Sequence, residues 1–167
     1  MERYVPGLMG RLLDAVIVVA LGGFAFFLIG QLLPRRIYRP DAFPYRPWKW
    51  ENSGKIYTKI GVHLWKDHMP DMSRIIPGMV KKKAQMARTP ETMWMLILET
   101  CGAEFIHDLL IIFISPMVYA AIRGFEGVIA AVIYALGNLL FVIIQRYNRP
   151  RLVEIHKRME KRREKCS

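Results

Sequence analysis

Between Glu99 and Asp108 an apolar stretch suddenly carries three carboxylates and an imidazole, in the order Glu99-Thr-Cys-Gly-Ala-Glu104-Phe-Ile-His107-Asp108. On a helix, Glu104 lies three residues before His107 and four before Asp108, so these three side chains share one face. A histidine beside a carboxylate can take a proton from a hydroxyl, with the acid orienting the ring and stabilising the imidazolium that forms. The same Glu-x-x-His spacing supplies metal ligands in helical bundles, where Asp67, His68 or Asp71 would complete the set. Acid–base chemistry, metal binding and structural hydrogen bonding are therefore the three readings open at this cluster.

Two further groups have the composition of binding sites. Trp65-Lys66-Asp67-His68-Met-Pro-Asp71 gathers two acids, a histidine and a lysine, although Pro70-Asp71 is also ordinary turn chemistry. Gln145-Arg146-Tyr147-Asn148-Arg149-Pro-Arg151 sets three guanidinium groups beside amide and phenol donors. Such forked donors bind phosphate or carboxylate, while the same charges could serve only to set topology at the end of a span.

The elements that must position these groups are membrane helices. The chain has 167 residues, of which 53% are hydrophobic, yet its net charge is +11, so the two properties must be segregated along the sequence. Residues 12–33 form an apolar run whose one charge is Asp14, long enough to cross a hydrocarbon core of ~30 Å. It exceeds the apolar core of a cleaved signal peptide and is read as an anchor. Residues 105–122 and 127–145 form two more spans joined by Arg123-Gly-Phe-Glu126, which predicts a tight helical hairpin. Pro116 in the middle span is tolerable where neighbouring groups satisfy the freed carbonyl. Gly22-Gly23 predicts close helix contact in the first span, and Asp14 receives no role. The expected fold is thus an all-α integral membrane protein of about three transmembrane helices plus interfacial and cytoplasmic helices, forming one membrane domain over 1–167.

Of the 25 Lys and Arg residues, 13 fall in 34–105 and 9 in 146–167, the two segments that three spans place on one side. By the positive-inside rule that side is cytoplasmic and the N-terminus lies outside, which predicts a multi-pass membrane protein. The basic segments are explained by topology and anionic headgroups, and nucleic acid is not an expected partner. Cys101 and Cys166 both fall on the reducing side, so no disulfide framework is expected. Three spans make a thin bundle, which leaves self-association open.

The cytoplasmic segment 34–104 begins with four prolines among Tyr38, Tyr45, Trp48, Trp50 and several arginines, a composition suited to the headgroup layer. From Lys55, the spacing of Ile56, Ile60 and Leu64 predicts a helix that ends before Pro70. Lys81-Lys82-Lys83 reads as a solvated or lipid-facing run. Thr89-Pro90-Glu91 is a helix start, since Thr accepts an orphan N–H, Pro suits the first turn and Glu faces the positive end of the dipole. That helix is expected to lead into the second span, and residues 146–167 to form a basic cytoplasmic tail.

Three blocks in this order, Trp65-Lys66 with Asp71, the Glu99 to His107 run E-T-x-x-A-E-x-I-H, and Gln145 to Leu152 as QRYNRPRL, resemble the glycosyl-4,4'-diaponeurosporenoate acyltransferases, small membrane enzymes of staphyloxanthin biosynthesis. The resemblance covers roughly residues 50–152, and QRYNRPRL is its most specific part. It implies transfer of a fatty acyl chain to a sugar hydroxyl of a glycosylated lipid or carotenoid-like acceptor. On that view His107 is the general base and Glu104 its partner. Asp67, His68 and Asp71 would line the polar pocket with Glu99, Trp65, Lys66 and Gln145. Arg146, Arg149 and Arg151 would clamp a donor such as acyl-CoA, placed by Tyr147 and Asn148. No resident cofactor is implied, and a metal remains the competing use of Glu104 and His107. No Ser, Cys or Thr nucleophile has an obvious base, which favours direct transfer over a covalent intermediate.

Overall fold

The computed structural model describes residues 7–69 and 89–166; Asp71 and the Lys81-Lys82-Lys83 run lie outside them. Every regular element among the described residues is helical. Three helices are long and apolar enough to cross a membrane, Leu8–Leu32, Pro90–Ile122 and Gly124–Lys165, and the chain is a membrane protein. The described residues gather into two compact units, one built from 7–34 and 104–142 and the other from 35–69, 89–103 and 143–166.

The first unit contains α1 (Leu8–Leu32), which at ~1.5 Å per residue is long enough for a bilayer core. Only Ala15 of α1 is buried, because an apolar helix with all backbone groups bonded internally can leave its other faces to lipid. A Cβ at Gly22 would lie 2.3 Å from Ile114 Cδ1, and one at Gly30 would meet Ile106 at 3.0 Å, whereas Gly23 meets nothing within 4 Å. Gly22 is thus the member of the pair that allows close packing. Ala15, Leu110, Ile114, Val118 and Ile122 form the core, flanked by Val18, Phe26, Ala130 and Tyr134.

The second span belongs to a continuous helical run: α4 (Pro90–Leu109), a widened π turn (Leu110–Ile114) and α5 (Ser115–Ile122). Pro116 explains the widening, since its ring would crowd the Ile112 carbonyl and it has no N–H to offer there. Reciprocal bonds at 3.2 and 3.1 Å between Thr89 and Thr92 close the start of α4. Arg123, with φ 60°, alone separates α5 from α6 (Gly124–Cys166), a tighter connection than the four residues expected. Arg11 Nη1 donates to the Ile122 carbonyl at 2.9 Å and so satisfies one of the last carbonyls of α5.

The second unit departs from the sequence reading after Lys55. The helix expected over 55–69 is broken into α2 (Lys55–Lys59), α3 (Val62–Trp65) and a short 3-10 turn at Lys66–His68. Gly61, at φ +71°, makes the break, and it turns Tyr57 and Val62 inward while Ile60 and Leu64 stay exposed. Helix α6 carries on beyond the apolar run through Pro150 to Cys166. Within the basic segment 146–167, Leu152 packs with Met93, Leu96 and Ile97 of α4, supported by Val153 and Met159.

Candidate functional site

In the first unit, α4 carries Glu104 and His107. Glu104 is buried to 2% exposure, a costly position for a carboxyl group and one that makes it a candidate for chemistry. His107 Nδ1 lies 2.9 Å from Asn138 Oδ1 of α6. The Asn138 amide nitrogen donates to the Tyr134 carbonyl at 3.0 Å. The Phe141 ring lies parallel to the imidazole within 4°, with centroids 4.6 Å apart. A hydrogen bond on one edge and a stacked ring on one face restrict the imidazole to a single orientation, which is what a proton acceptor needs. Sequence reasoning named Glu104 and His107 but missed Asn138, although a lone amide in the third apolar run was a visible signal.

In the second unit, Glu51 is the organising residue, and nothing in its local sequence marked it. Asn52 and Ser53, at φ 47° and 53°, and Gly54, at φ +81°, form a tight left-handed turn after the 3-10 segment Lys49–Glu51. A Cβ added at Gly54 would sit 3.4 Å from the Arg146 carbonyl, so the turn lies close against α6. The Glu51 carboxylate accepts from the Trp48 amide at 2.8 Å, the Tyr57 hydroxyl at 2.6 Å and Arg146 Nε at 2.5 Å. Burial alone would raise its pKa, but these bonds outweigh it and hold the carboxyl below the usual carboxylate range. Burial and the adjacent carboxylate push the Tyr57 phenol above its usual value. Arg146 also donates to the Pro44 carbonyl at 3.1 Å.

Arg149 is 2% exposed and serves the fold of this unit. It donates to Thr100 Oγ1 at 2.9 Å, the Thr100 carbonyl at 3.1 Å and the Tyr45 carbonyl at 2.8 Å. The guanidinium of Arg151 stacks on Tyr147 with 3.7 Å to the ring centroid and donates to Thr58 at 2.8 Å. Lys66 Nζ stands 6.0 Å from the same ring centre and pairs with Asp67 at 3.4 Å. Glu99 is engaged by Arg35 at 2.6 Å. The structure therefore gathers Lys66, Tyr147 and Arg151, with Trp65 packed against the Tyr57, Val62 and Tyr147 core. Gln145 and Asn148 are partly buried on α6. The short turn Lys66–His68 carries His68. Among the described residues no three His, Cys, Asp or Glu side chains stand close enough to hold a metal together.

The Glu51 to Arg146 pair and the Arg149 clamp put two blocks of the sequence, one near residue 50 and one at QRYNRPRL, into a single structural unit. A family model described as glycosyl-4,4'-diaponeurosporenoate acyltransferase matches residues 34–158, and this range spans both blocks and the Glu99 to His107 run. The chain belongs to that family. Its relatives include the glycosyl-4,4'-diaponeurosporenoate acyltransferase of Staphylococcus aureus strain MRSA252, 27% identical over 143 residues that cover 82% of each chain. The protein of the same name from Staphylococcus haemolyticus strain JCSC1435 is 29% identical over 126 residues, 72% of this chain and 70% of that one. No solved structure matches the chain. The enzyme class that follows from the family is acyltransferase.

Proposed function

We infer that this chain transfers a fatty acyl group to a hydroxyl of a glycosylated lipid or carotenoid-like acceptor in a bacterial plasma membrane. The observation that carries the reading is His107, held between Asn138 and Phe141 on the helix that also buries Glu104, inside the region matched by an acyltransferase family. In this proposal His107 takes the proton of the acceptor hydroxyl as its oxygen attacks the carbonyl carbon of an acyl thioester. The carbon–sulfur bond breaks, and the imidazolium returns the proton to the departing thiolate, leaving an ester and a thiol. Buried Glu104 stabilises the positive charge while the imidazole holds the extra proton. Direct transfer of this kind needs no covalent acyl-enzyme.

For the donor, the partly exposed cations Lys66 and Arg151 beside Tyr147 suit phosphate recognition better than Arg149, whose guanidinium is buried. A membrane location fits substrates whose chains stay in lipid while the ester forms near the headgroups. The distribution of Lys and Arg supports an outward N-terminus and a cytoplasmic C-terminus. The test is acyl transfer by the purified protein from acyl-CoA to a glycolipid extract, read by mass spectrometry. Wild type should yield an acylated glycolipid, and folded His107→Gln should not. A fully active His107→Gln would remove histidine from the chemistry.

A further inference from the structure

We propose that the outer face of the C-terminal part of α6 docks an acidic soluble carrier protein that delivers the acyl group as a thioester. The carrier's cargo rests on the acyl-transfer reading, whereas the surface itself stands on the structure of α6.

This part of α6 has two different faces. One is turned to α4: Leu152 packs with Met93, Leu96 and Ile97, the His156 ring centre lies 5.3 Å from that of Trp94, and Arg163 pairs with Glu91. On the other side Lys157, Lys161 and Lys165 follow one another at intervals of four, with Arg158 and Arg162 forming the neighbouring row. All five are exposed. The acids nearby do not neutralise them, since Glu154 is taken by Arg158 at 3.0 Å and Glu160 lies 3.5 Å from His156. Among the described residues Lys157, Lys161, Arg162 and Lys165 enter no ion pair. The result is a one-sided row of uncompensated positive charge.

The height of the row along α6 favours a soluble partner over lipid headgroups. At ~1.5 Å per residue, Lys157 stands ~20 Å along the helix from Ile144, where the apolar run ends, and Lys165 lies further out. A headgroup layer is only about 5–8 Å deep, and a helix at the usual tilt of about 20° loses little of that height. Screening cuts the reach of a surface charge to ~8 Å, so the row faces water rather than the bilayer surface. Topology needs positive charge close to the span, not its gathering on one helix face this far along it. An acidic protein meets such a row by charge complementarity, which speeds encounter and fixes register. Arg151 stands two turns before Arg158 and so on the same side of α6, with Lys66 beside the Tyr147 ring it stacks on, which places cations for the phosphate of a carrier's thiol arm next to the row. In the transfer, the acceptor oxygen bonds to the acyl carbon, the carbon–sulfur bond breaks, the hydroxyl proton ends on the sulfur, and the carrier departs as the free thiol.

The test uses the full chain in nanodiscs of neutral phosphatidylcholine, with an acyl carrier protein loaded with a palmitoyl group and, separately, palmitoyl-CoA as donors. Binding of the loaded carrier, read by fluorescence anisotropy, should weaken as salt is raised and fall by roughly tenfold when Lys157→Glu and Lys161→Glu are combined. The same double variant should lose roughly tenfold in kcat/KM for the carrier-borne chain and stay within about twofold of wild type for palmitoyl-CoA. Equal loss with both donors, or carrier binding unchanged in the folded variant, would overturn the proposal. Wild type that binds phosphatidylglycerol vesicles through these lysines but not the carrier would overturn it too and give the row to lipid headgroups. Transfer from palmitoyl-CoA without any carrier binding would remove the docking surface alone. Salt-sensitive carrier binding, lost in the variant but with no transfer from either donor, would sink the acyl-transfer reading and leave the surface standing.

Discussion

Around Glu51, the second unit buries full charges: a carboxylate at 1% exposure accepts from a guanidinium, a phenol and a backbone amide, and nearby Arg149 is covered completely by oxygen acceptors. Around His107, the first unit instead joins an imidazole to a neutral amide and a backbone carbonyl. The difference follows the surroundings. Prolines, short helices and carbonyl-lined turns give the second unit enough hydrogen-bonding partners to stabilise ions, whereas an apolar span offers few, which makes the burial of Glu104 there the costlier one. Two duties are thereby separated: charges in the second unit hold the architecture, while Asn138 and Phe141 in the first orient the His107 ring.

Removing Glu51 should have the largest effect. Glu51→Ala leaves Arg146 without its carboxylate partner in a mostly buried setting and should cost about 3 kcal/mol or more, read as a fall in the thermal midpoint in detergent. If Glu51→Ala matched an ordinary surface substitution, the idea that charge pairing organises this unit would fail. Arg146→Leu combined with Glu51→Leu should be less damaging than Glu51→Ala alone, because no uncompensated charge remains.

Acid sharpens the same contrast. The Glu51 carboxyl is held below its ordinary pKa in the folded protein, so its contribution is fully present above the ordinary carboxylate range. It is lost as pH falls through the lowered folded value. The thermal midpoint of the wild type should therefore drop on acidification below about pH 4, and by less in Glu51→Gln. Equal acid sensitivity in the two proteins would place the responsible carboxylate elsewhere.

Smaller effects are expected at the partly exposed pair and at the neutral amide. Arg35→Ala, which breaks the 2.6 Å contact to Glu99, should cost about 1 kcal/mol, since both side chains retain some access to solvent. Asn138→Leu, which removes the 2.9 Å contact to His107, should cost about 0.6 kcal/mol, the scale of polar pairs inside membrane proteins, read as a small fall in the thermal midpoint. A stability loss several times larger would give Asn138 an architectural duty like that of Arg149.

Much of this was legible along the chain because it depends on local pattern. Uninterrupted apolar runs marked three spans, Thr89-Pro90-Glu91 marked the start of α4, and the gap at Arg123 marked the hairpin. The continuation of α6 was obscured by Pro150 and by the basic residues around it, although Leu152, Val153 and Met159 carry the spacing that packs it against α4. Gly61 broke a helix whose Ile56, Ile60 and Leu64 pattern suggested a different buried face. Glu51 was hidden because its partner Arg146 lies 95 residues away, a distance no spacing rule spans. The candidate site divides in the same way: Glu104 and His107 stood out as ionisable groups in an apolar helix, but the partner of His107 came from another helix.

The role of His107 is tested most directly by acyl transfer with purified wild type and folded His107→Gln, assayed side by side with acyl-CoA and a glycolipid extract. Wild type should give an acylated glycolipid and the variant a loss of at least a hundredfold, within the usual range for removing a general base. Equal product from both proteins would contradict it.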